Sequence, residues 1–217
     1  MTAPERSVLC FGDSNTHGTM ALRDRMDRRR FPFHERWPGV LQATLGPTWR
    51  VVEEGHPGRT TVHSDPVQGD HKSGIVTLPA LLESHRPLDA VVVMLGTNDL
   101  QMRFSVTPFD IALSVERLCV MAQDPLIGAN GKPAHIVIVS PVPVDEVGFL
   151  GEPFTGAAAK SRALAEKLKA SAEFIGASFL DAGLLAAADP DDGIHLTAEG
   201  QAAIGRAVAE RLEAVFT

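Results

Sequence analysis

The feature that most constrains this chain is a set of short runs that stay apolar at consecutive positions. Residues 91–95 and 136–139 contain no polar side chain. A strand of this kind is covered on both faces, which is typical of a parallel sheet between helices. Strand-like runs occur at residues 7–11, 50–54, 90–95, 135–139 and 178–180. Because helical patterns separate them, the sequence predicts a three-layer, flavodoxin-like α/β/α fold whose five parallel strands have the order 2-1-3-4-5.

Helical patterns occupy the segments between several of these runs. Thr107, Pro108 and Asp110 form a typical helix start, with an N-cap, a first-turn proline and a capping-box acid. Pro79 either kinks an earlier helix or stands near its start. Apolar spacing predicts helices around residues 40–45, 75–82, 107–122 and 197–212. Two segments lack such spacing and predict loops of the kind that surround ligand pockets, residues 124–134 and 141–156.

Composition and charge exclude several kinds of partner. The chain of 217 residues fits a single domain spanning 1–217, and its net charge of −7 argues against binding to nucleic-acid phosphates. No apolar stretch is long enough to span a membrane, and the polar residues 1–6 do not resemble a signal peptide. Cys10 and Cys119 fall on apolar faces, where free buried thiols are expected. We therefore expect a cytoplasmic protein that binds neither membranes nor nucleic acids.

Ser14, Asp192 and His195 are the residues with the clearest chemical meaning. Ser14 follows the first apolar run through a tight Gly-Asp turn, and Asp192 precedes His195 by three residues. A serine nucleophile needs an imidazole to take its proton, and the imidazole needs a carboxylate to fix its tautomer. Asp189 and Asp191 compete for that last role, and only the three-residue spacing favours Asp192. The simpler interpretation of the turn is a capped helix N-terminus, but the three side chains together predict a serine hydrolase.

Polar loops follow three strands that are neighbours in the predicted order, at residues 12–15, 55–60 and 96–99. The carboxyl ends of parallel strands meet at one sheet edge, so these loops should converge. The Ser14 and Gly58 backbone N–H groups and the Asn98 side-chain amide are then candidate donors to an oxyanion. Topology alone does not bring His195 to them, because the loop after strand five has to fold over the sheet edge.

These segments resemble the four motif blocks of the SGNH, or GDSL, hydrolases. The blocks are Phe11-Gly12-Asp13-Ser14, Gly58, Gly96-Thr97-Asn98-Asp99 and Asp192-x-x-His195, in family order from about residue 7 to the C-terminus. Further segments are similar to the arylesterase, carbohydrate-esterase and acyltransferase branch, namely Glu53-Glu54-Gly55, Arg59-Thr60-Thr61 and Asp181-Ala182-Gly183. The resemblance implies Ser14 as nucleophile, His195 as general base and acid, and Asp192 as the group that orients the imidazole. It also implies an oxyanion hole made by Ser14, Gly58 and Asn98.

The substrate pocket is less well defined than the triad. Asn15 stands where the family name has leucine, and His17 where related sequences often carry an aromatic side chain. Trp37 is either a core anchor or a pocket wall. The candidate substrate-binding residues are Asn15, His17, Trp37 and Phe154, with Met20, Leu100, Phe104, Phe149 and Leu150 as further lining. The histidines show no spacing typical of zinc ligands, so we expect neither a metal nor another cofactor.

The resemblance implies a serine esterase that hydrolyses short-chain, acetyl-type esters through an acyl-enzyme, with acyl transfer to alcohols as a further ability. Its partners would be a small ester and either water or an alcohol acceptor. The branch also implies a homo-oligomer, with residues 20–36 and 141–156 as candidate contact surfaces. Three alternatives stay open. The first is a lysophospholipase or thioesterase with the same triad, and the second is a non-catalytic flavodoxin-like binding module. The third is a structural or interaction role, which gives no reason for four polar loops to meet at one sheet edge.

Overall fold

The structure is a computed structural model that describes residues 6–216, so the expectation about a signal peptide falls almost wholly outside it. The strands are β1 (Arg6–Gly12), β2 (Trp49–Gly55), β3 (Ala90–Met94), β4 (His135–Ser140) and β5 (Ser178–Asp181). They form one sheet in the order β2-β1-β3-β4-β5, and every neighbouring pair is parallel. The predicted strand direction and order are confirmed.

Helices cover both faces of the sheet, as the three-layer prediction requires. They are α1 (Ser14–His17), α2 (Trp37–Leu45), α3 (Gly74–His85), α4 (Pro108–Ala122), α5 (Ala157–Phe174) and α6 (Ala198–Phe216). On one face, α3, α4 and α5 contribute Leu78, Ile111 and Leu164 to the core. On the other face, α2 and α6 contribute Trp37 and Ile204. No helix among residues 6–216 is long and apolar enough to cross a membrane.

The continuous apolar run of β3 follows from its place in the middle of the sheet. Val91 and Val93 point into the core beneath α3, α4 and α5. Val92 and Met94 point into the core beneath α2 and α6. Successive side chains of a strand alternate between its faces, so a strand with a core on each side has no position for a polar residue.

The strand register brings three carboxyl ends to one level. Gly12, the last residue of β1, lies opposite Gly55 of β2 and Met94 of β3. The loops that follow these strands therefore start side by side, as the sequence predicts. This edge of the sheet is the place where the polar segments collect.

The predicted start of α4 is confirmed in detail. The Thr107 hydroxyl accepts a hydrogen bond from Asp110 N at 3.2 Å, and Thr107 N donates to Asp110 Oδ2 at 3.0 Å. Two N-terminal donors of the helix thus find partners in one reciprocal pair. In α3, Pro79 lies inside the helix rather than near its start, since α3 begins at Gly74.

Helix α5 is an element that the apolar spacing does not predict. Its 18 residues are mostly alanine and charged side chains, and the large apolar residues that it buries are Leu164 and Leu168. The rest of its buried face consists of Ala157, Ser161, Ser171 and Ala172. Small side chains let the helix lie close to its neighbours, but they carry little of the hydrophobic signal from which a helix is predicted.

Candidate active site

Ser14 lies at the tip of the turn that leaves β1. Asp13 caps the short helix α1, because its Oδ1 accepts a hydrogen bond from Asn15 N at 2.9 Å. The turn needs glycine at position 12, where a Cβ would lie 1.9 Å from Thr16 Oγ1 and 2.9 Å from the Met94 carbonyl oxygen. The helix-cap interpretation of the turn is therefore correct for Asp13, and it leaves the Ser14 hydroxyl free for other contacts.

The Ser14 hydroxyl, the His195 imidazole and the Asp192 carboxylate form one hydrogen-bonded chain. Ser14 Oγ lies 3.0 Å from His195 Nε2, and His195 Nδ1 lies 2.5 Å from Asp192 Oδ2. An ionised carboxylate can only accept, so Nδ1 carries the proton and Nε2 accepts from the serine hydroxyl. Asp189 and Asp191 are not part of this chain, since Asp189 Oδ1 accepts from the Asp191 backbone and Asp191 is exposed.

Asp192 is fully buried and is surrounded by donors. Its Oδ1 accepts from Ile194 N and His195 N, each at 3.0 Å, and its Oδ2 accepts from Leu22 N at 2.7 Å. Burial raises the pKa of Asp192, but the hydrogen bonds and the charge of His195 outweigh burial and hold that pKa below its ordinary value. The carboxylate is therefore ionised at neutral pH.

Asn15 holds the loop after β5, which carries His195, next to the turn after β1. Its Nδ2 donates to the Ile194 carbonyl at 3.1 Å, and its Oδ1 accepts from Leu196 N at 3.0 Å. Gln201 of α6 then donates from Nε2 to the Asn15 carbonyl at 2.8 Å. Both ends of the Asn15 amide are thus occupied by backbone on either side of His195. These contacts position the loop that carries His195, and they engage both the oxygen and the nitrogen of the Asn15 amide.

The three candidate oxyanion donors lie in loops that the structure ties together. Neither the Ser14 nor the Gly58 backbone N–H has an acceptor within residues 6–216. Asn98 Nδ2 donates to the Arg59 carbonyl at 3.0 Å and lies 3.5 Å from Asp13 Oδ2. The second contact is long for a hydrogen bond, so one N–H of this amide is only weakly engaged.

Asp99 and Arg59 hold the loop after β2 against its neighbours. The Asp99 carboxylate accepts from Thr61 N at 3.0 Å and from Thr61 Oγ1 at 2.5 Å. The Arg59 guanidinium donates to the carbonyls of Gly12 and Glu54, and burial lowers its pKa to about 10. No role for Arg59 follows from the sequence alone, although Arg59 lies in a segment similar to the arylesterase and carbohydrate-esterase branch.

Asp13 has an environment that disfavours its charge. Burial raises the pKa of Asp13 to about 6, in spite of the opposing Asn15 hydrogen bond and the nearby His195. This carboxyl is a hydrogen-bond acceptor in the turn, in agreement with the structural role that its sequence position suggests.

The other predicted pocket residues lie in three different environments. Trp37 is fully buried, and its Nε1 donates to Thr16 Oγ1 at 3.2 Å, so it is a core anchor rather than a pocket wall. Phe154 lies in the opposite core. His17 is half-buried, with Nδ1 3.0 Å from Thr19 Oγ1. Burial, followed by the charges of Arg30 and Arg36, lowers the pKa of His17 to about 4.

The further lining residues differ in their exposure to solvent. Leu100 is buried in the core, Phe149 is exposed, and the remaining side chains are partly buried, namely Met20, Phe104 and Leu150. Within residues 6–216, no three His, Cys, Asp or Glu side chains are grouped so as to hold a metal ion.

Comparison with known proteins identifies a matching family and similar structures. Residues 10–203 match the model of the GDSL-like lipase/acylhydrolase family. A carbohydrate acetylesterase from Sinorhizobium meliloti is 36% identical, with 97% of this chain and 99% of that chain covered and a TM-score of 0.92. An aryl esterase from M. smegmatis is also 36% identical, with 96% and 99% covered and a TM-score of 0.91. No match was found among curated proteins.

Fold and comparisons together define the class of this protein as a carboxylic ester hydrolase. The chain belongs to the GDSL-like lipase/acylhydrolase family, the SGNH hydrolases that its sequence motifs resemble.

Proposed function

We propose that the protein is a serine esterase that cleaves short-chain, acetyl-type esters through an acyl-enzyme on Ser14. The observation that carries the proposal is the continuous hydrogen-bonded chain from Ser14 Oγ through His195 to Asp192, with distances of 3.0 and 2.5 Å. Each contact has the direction that acyl transfer needs, because the base nitrogen faces the hydroxyl and the ionised carboxylate faces the other ring nitrogen. A binding module has no need for this alignment.

In the proposed reaction, Ser14 Oγ attacks the ester carbonyl carbon while His195 Nε2 takes the hydroxyl proton. Asp192 stabilises the imidazolium that results, and His195 then gives the proton to the leaving alkoxide as the bond from the carbonyl carbon to the alcohol oxygen breaks. Water attacks the acyl-enzyme in the second half, with the same imidazole acting first as base and then as acid.

The negative charge that develops on the carbonyl oxygen needs donors fixed in advance. The Ser14 and Gly58 N–H groups, which have no acceptor within residues 6–216, and the weakly engaged N–H of Asn98 are the donors we propose. Asn98 is held for this role at its other end, where Oδ1 accepts from Gln101 Nε2 at 3.1 Å.

The preference for a short acyl group has its support in the relatives. The similar structures described above are a carbohydrate acetylesterase and an aryl esterase, and both cover nearly the whole chain. The proposal also includes transfer of the acyl group from the acyl-enzyme to an alcohol in place of water. A lysophospholipase or thioesterase would instead prefer long acyl chains or thioesters, so the profile of rate against acyl length separates these functions.

The test compares wild type with Ser14→Ala on p-nitrophenyl esters from acetate to dodecanoate, with and without added alcohol. Ser84→Ala on the exposed surface of α3 is the matched control. We expect turnover that is highest on acetate, is lost in Ser14→Ala and is kept in Ser84→Ala. Equal turnover by Ser14→Ala and wild type would refute the acyl-enzyme, and a maximum at long chains would refute the acetyl preference.

Location and assembly belong to the same proposal. Cys10 and Cys119 are buried free thiols in the two separate cores, which supports a reducing, cytoplasmic compartment. We also propose a homo-oligomer that uses residues 20–36 and 141–156 as contact surfaces. Sedimentation that gives a clean monomer at working concentration would contradict this assembly.

A further inference from the structure

Lys72 lies against the loop that presents the Gly58 N–H. Its Nζ donates to the Pro57 carbonyl oxygen at 2.8 Å and lies 3.1 Å from His56 Nε2. Its own carbonyl accepts from Thr60 N at 3.0 Å. Lys72, two residues before the start of α3, therefore contacts the loop on both sides of Gly58.

The contact with Pro57 has a particular consequence because of peptide geometry. The Pro57 carbonyl and the Gly58 N–H belong to the same trans peptide plane, and in such a plane the two groups point in opposite directions. Any bond that fixes the carbonyl therefore fixes the direction of the N–H.

This peptide is the central one of the turn that Arg59 N closes by donating to the His56 carbonyl oxygen at 3.0 Å. Type I and type II turns share that hydrogen bond and differ in the orientation of the central peptide, so the bond does not by itself fix the plane. Gly58 has φ +78, a region that glycine enters without steric cost, so its own backbone does not resist rotation of the plane. The Gly58 N–H has no acceptor within residues 6–216, and Lys72 is the hydrogen-bond donor to the Pro57 oxygen in the same range.

The lysine side chain is itself held in place. A Cβ built on Gly58 would lie 3.5 Å from Lys72 Cε, so the lysine stem passes directly over the glycine. Burial, followed by the charges of Lys72 and Arg59, lowers the pKa of His56 to about 4. The imidazole is therefore neutral at neutral pH, and its Nε2 can accept a hydrogen bond from the ammonium.

We propose that Lys72 is a positioning residue for ester hydrolysis, which holds the Pro57–Gly58 peptide so that its N–H faces the developing oxyanion. The ammonium also withdraws electron density from the carbonyl, which makes the N–H at the other end of the amide a stronger donor. The inference rests on the proposed function, because Gly58 matters only if an oxyanion forms.

The test uses three variants. Lys72→Met keeps the length of the stem and removes the donor, and Lys72→Arg keeps a cationic donor. Lys167→Met is the matched control, because Lys167 pairs with Glu166 on the surface of α5. The measurements are kcat and KM for p-nitrophenyl acetate, the inhibition constant of a trifluoromethyl ketone, and the melting temperature.

We expect Lys72→Met to lower kcat by about 10- to 100-fold and to change KM by less than about twofold, because the interaction acts on the transition state. The inhibition constant of the trifluoromethyl ketone, which forms a tetrahedral adduct, should rise in parallel. Lys72→Arg should recover most of kcat, and Lys167→Met should equal wild type. Acylation and deacylation both pass through an oxyanion, so the expectation holds whichever step limits kcat.

Unchanged kcat in Lys72→Met, with turnover still abolished by Ser14→Ala, would overturn the role of Lys72 and leave the proposed function intact. A loss of kcat that comes with a higher KM and a collapsed melting temperature, and that Lys72→Arg does not restore, would also overturn it. Absence of wild-type turnover on every ester would overturn the proposed function and this inference together.

Discussion

Replacing Asp192 by asparagine tests the tautomer of His195 with almost no change in shape. Asp192 accepts four hydrogen bonds, two at Oδ1 from Ile194 N and His195 N and two at Oδ2 from Leu22 N and His195 Nδ1. Asparagine has one acceptor and one donor end, so it cannot satisfy all four.

The two orientations of the asparagine amide have different costs. With its oxygen at the Oδ1 position, the amide keeps both backbone bonds, and the imidazole can switch tautomer and accept from Nδ2. Only Leu22 N then lacks its partner. The reverse orientation leaves the N–H groups of Ile194 and His195 facing an NH₂ group. Since each buried unsatisfied donor costs about 1–3 kcal/mol, the first orientation is favoured.

In that favoured orientation, His195 Nε2 carries the proton and cannot accept one from Ser14. We expect Asp192→Asn to lower kcat by about 10⁴-fold, the loss that the same change causes in a well-studied serine protease, or about 5.4 kcal/mol of transition-state stabilisation. The loss of stability should be only about 1–3 kcal/mol, from the single backbone donor at Leu22.

The assay is steady-state turnover of p-nitrophenyl acetate, with urea unfolding to show that the variant is folded. Asp191→Asn, on the exposed neighbouring residue, is the control and should match wild type. If folded Asp192→Asn kept kcat within tenfold of wild type, the argument from the tautomer would be wrong.

Three further predictions concern the turn around Ser14. Gly12→Ala should destabilise the fold by at least about 1–3 kcal/mol in urea unfolding, because the new Cβ meets Thr16 Oγ1 at 1.9 Å, and unchanged stability would contradict this packing. Asp13 has a pKa of about 6 in the fold against 3.8 ordinarily, so its ionisation lowers stability as pH rises through this window. Asp13→Asn should therefore stabilise the protein near pH 7, by up to about 3 kcal/mol, and the gain should vanish near pH 4. The fold lowers the pKa of His17 from 6.5 to about 4. The neutral imidazole therefore contributes its full share of the folding stability above pH 6.5, and this share is lost as the pH falls towards 4. The stability of His17→Gln should fall less over that range, and parallel curves of urea midpoint against pH would refute this.

Much of the fold could be predicted because its signals are local. The continuous apolar run of β3 indicates a strand with a core on each face, and the Thr107 capping box marks the start of α4. Parallel strands place their carboxyl ends at one edge of the sheet. The proximity of the loops that carry Ser14 and Asn98 can therefore be predicted without knowledge of any side-chain contact.

The rest depends on contacts between distant residues that leave no local pattern. The loop around His195 is held by the amide of Asn15, about 180 positions away in sequence. The sequence predicts a substrate contact for Asn15 because its position after Ser14 is visible in the sequence and its hydrogen-bond partners are not. Lys72 was missed for a similar reason, since a hydrogen bond to the Pro57 carbonyl has no sequence signature.

The most direct test of the central claim is mass spectrometry of the protein quenched during turnover of p-nitrophenyl acetate. We predict a transient mass increase of one acetyl group, located on the peptide that contains Ser14 and absent from Ser14→Ala. Acetylation that appears on another residue, or that appears equally in Ser14→Ala, would contradict an acyl-enzyme at Ser14.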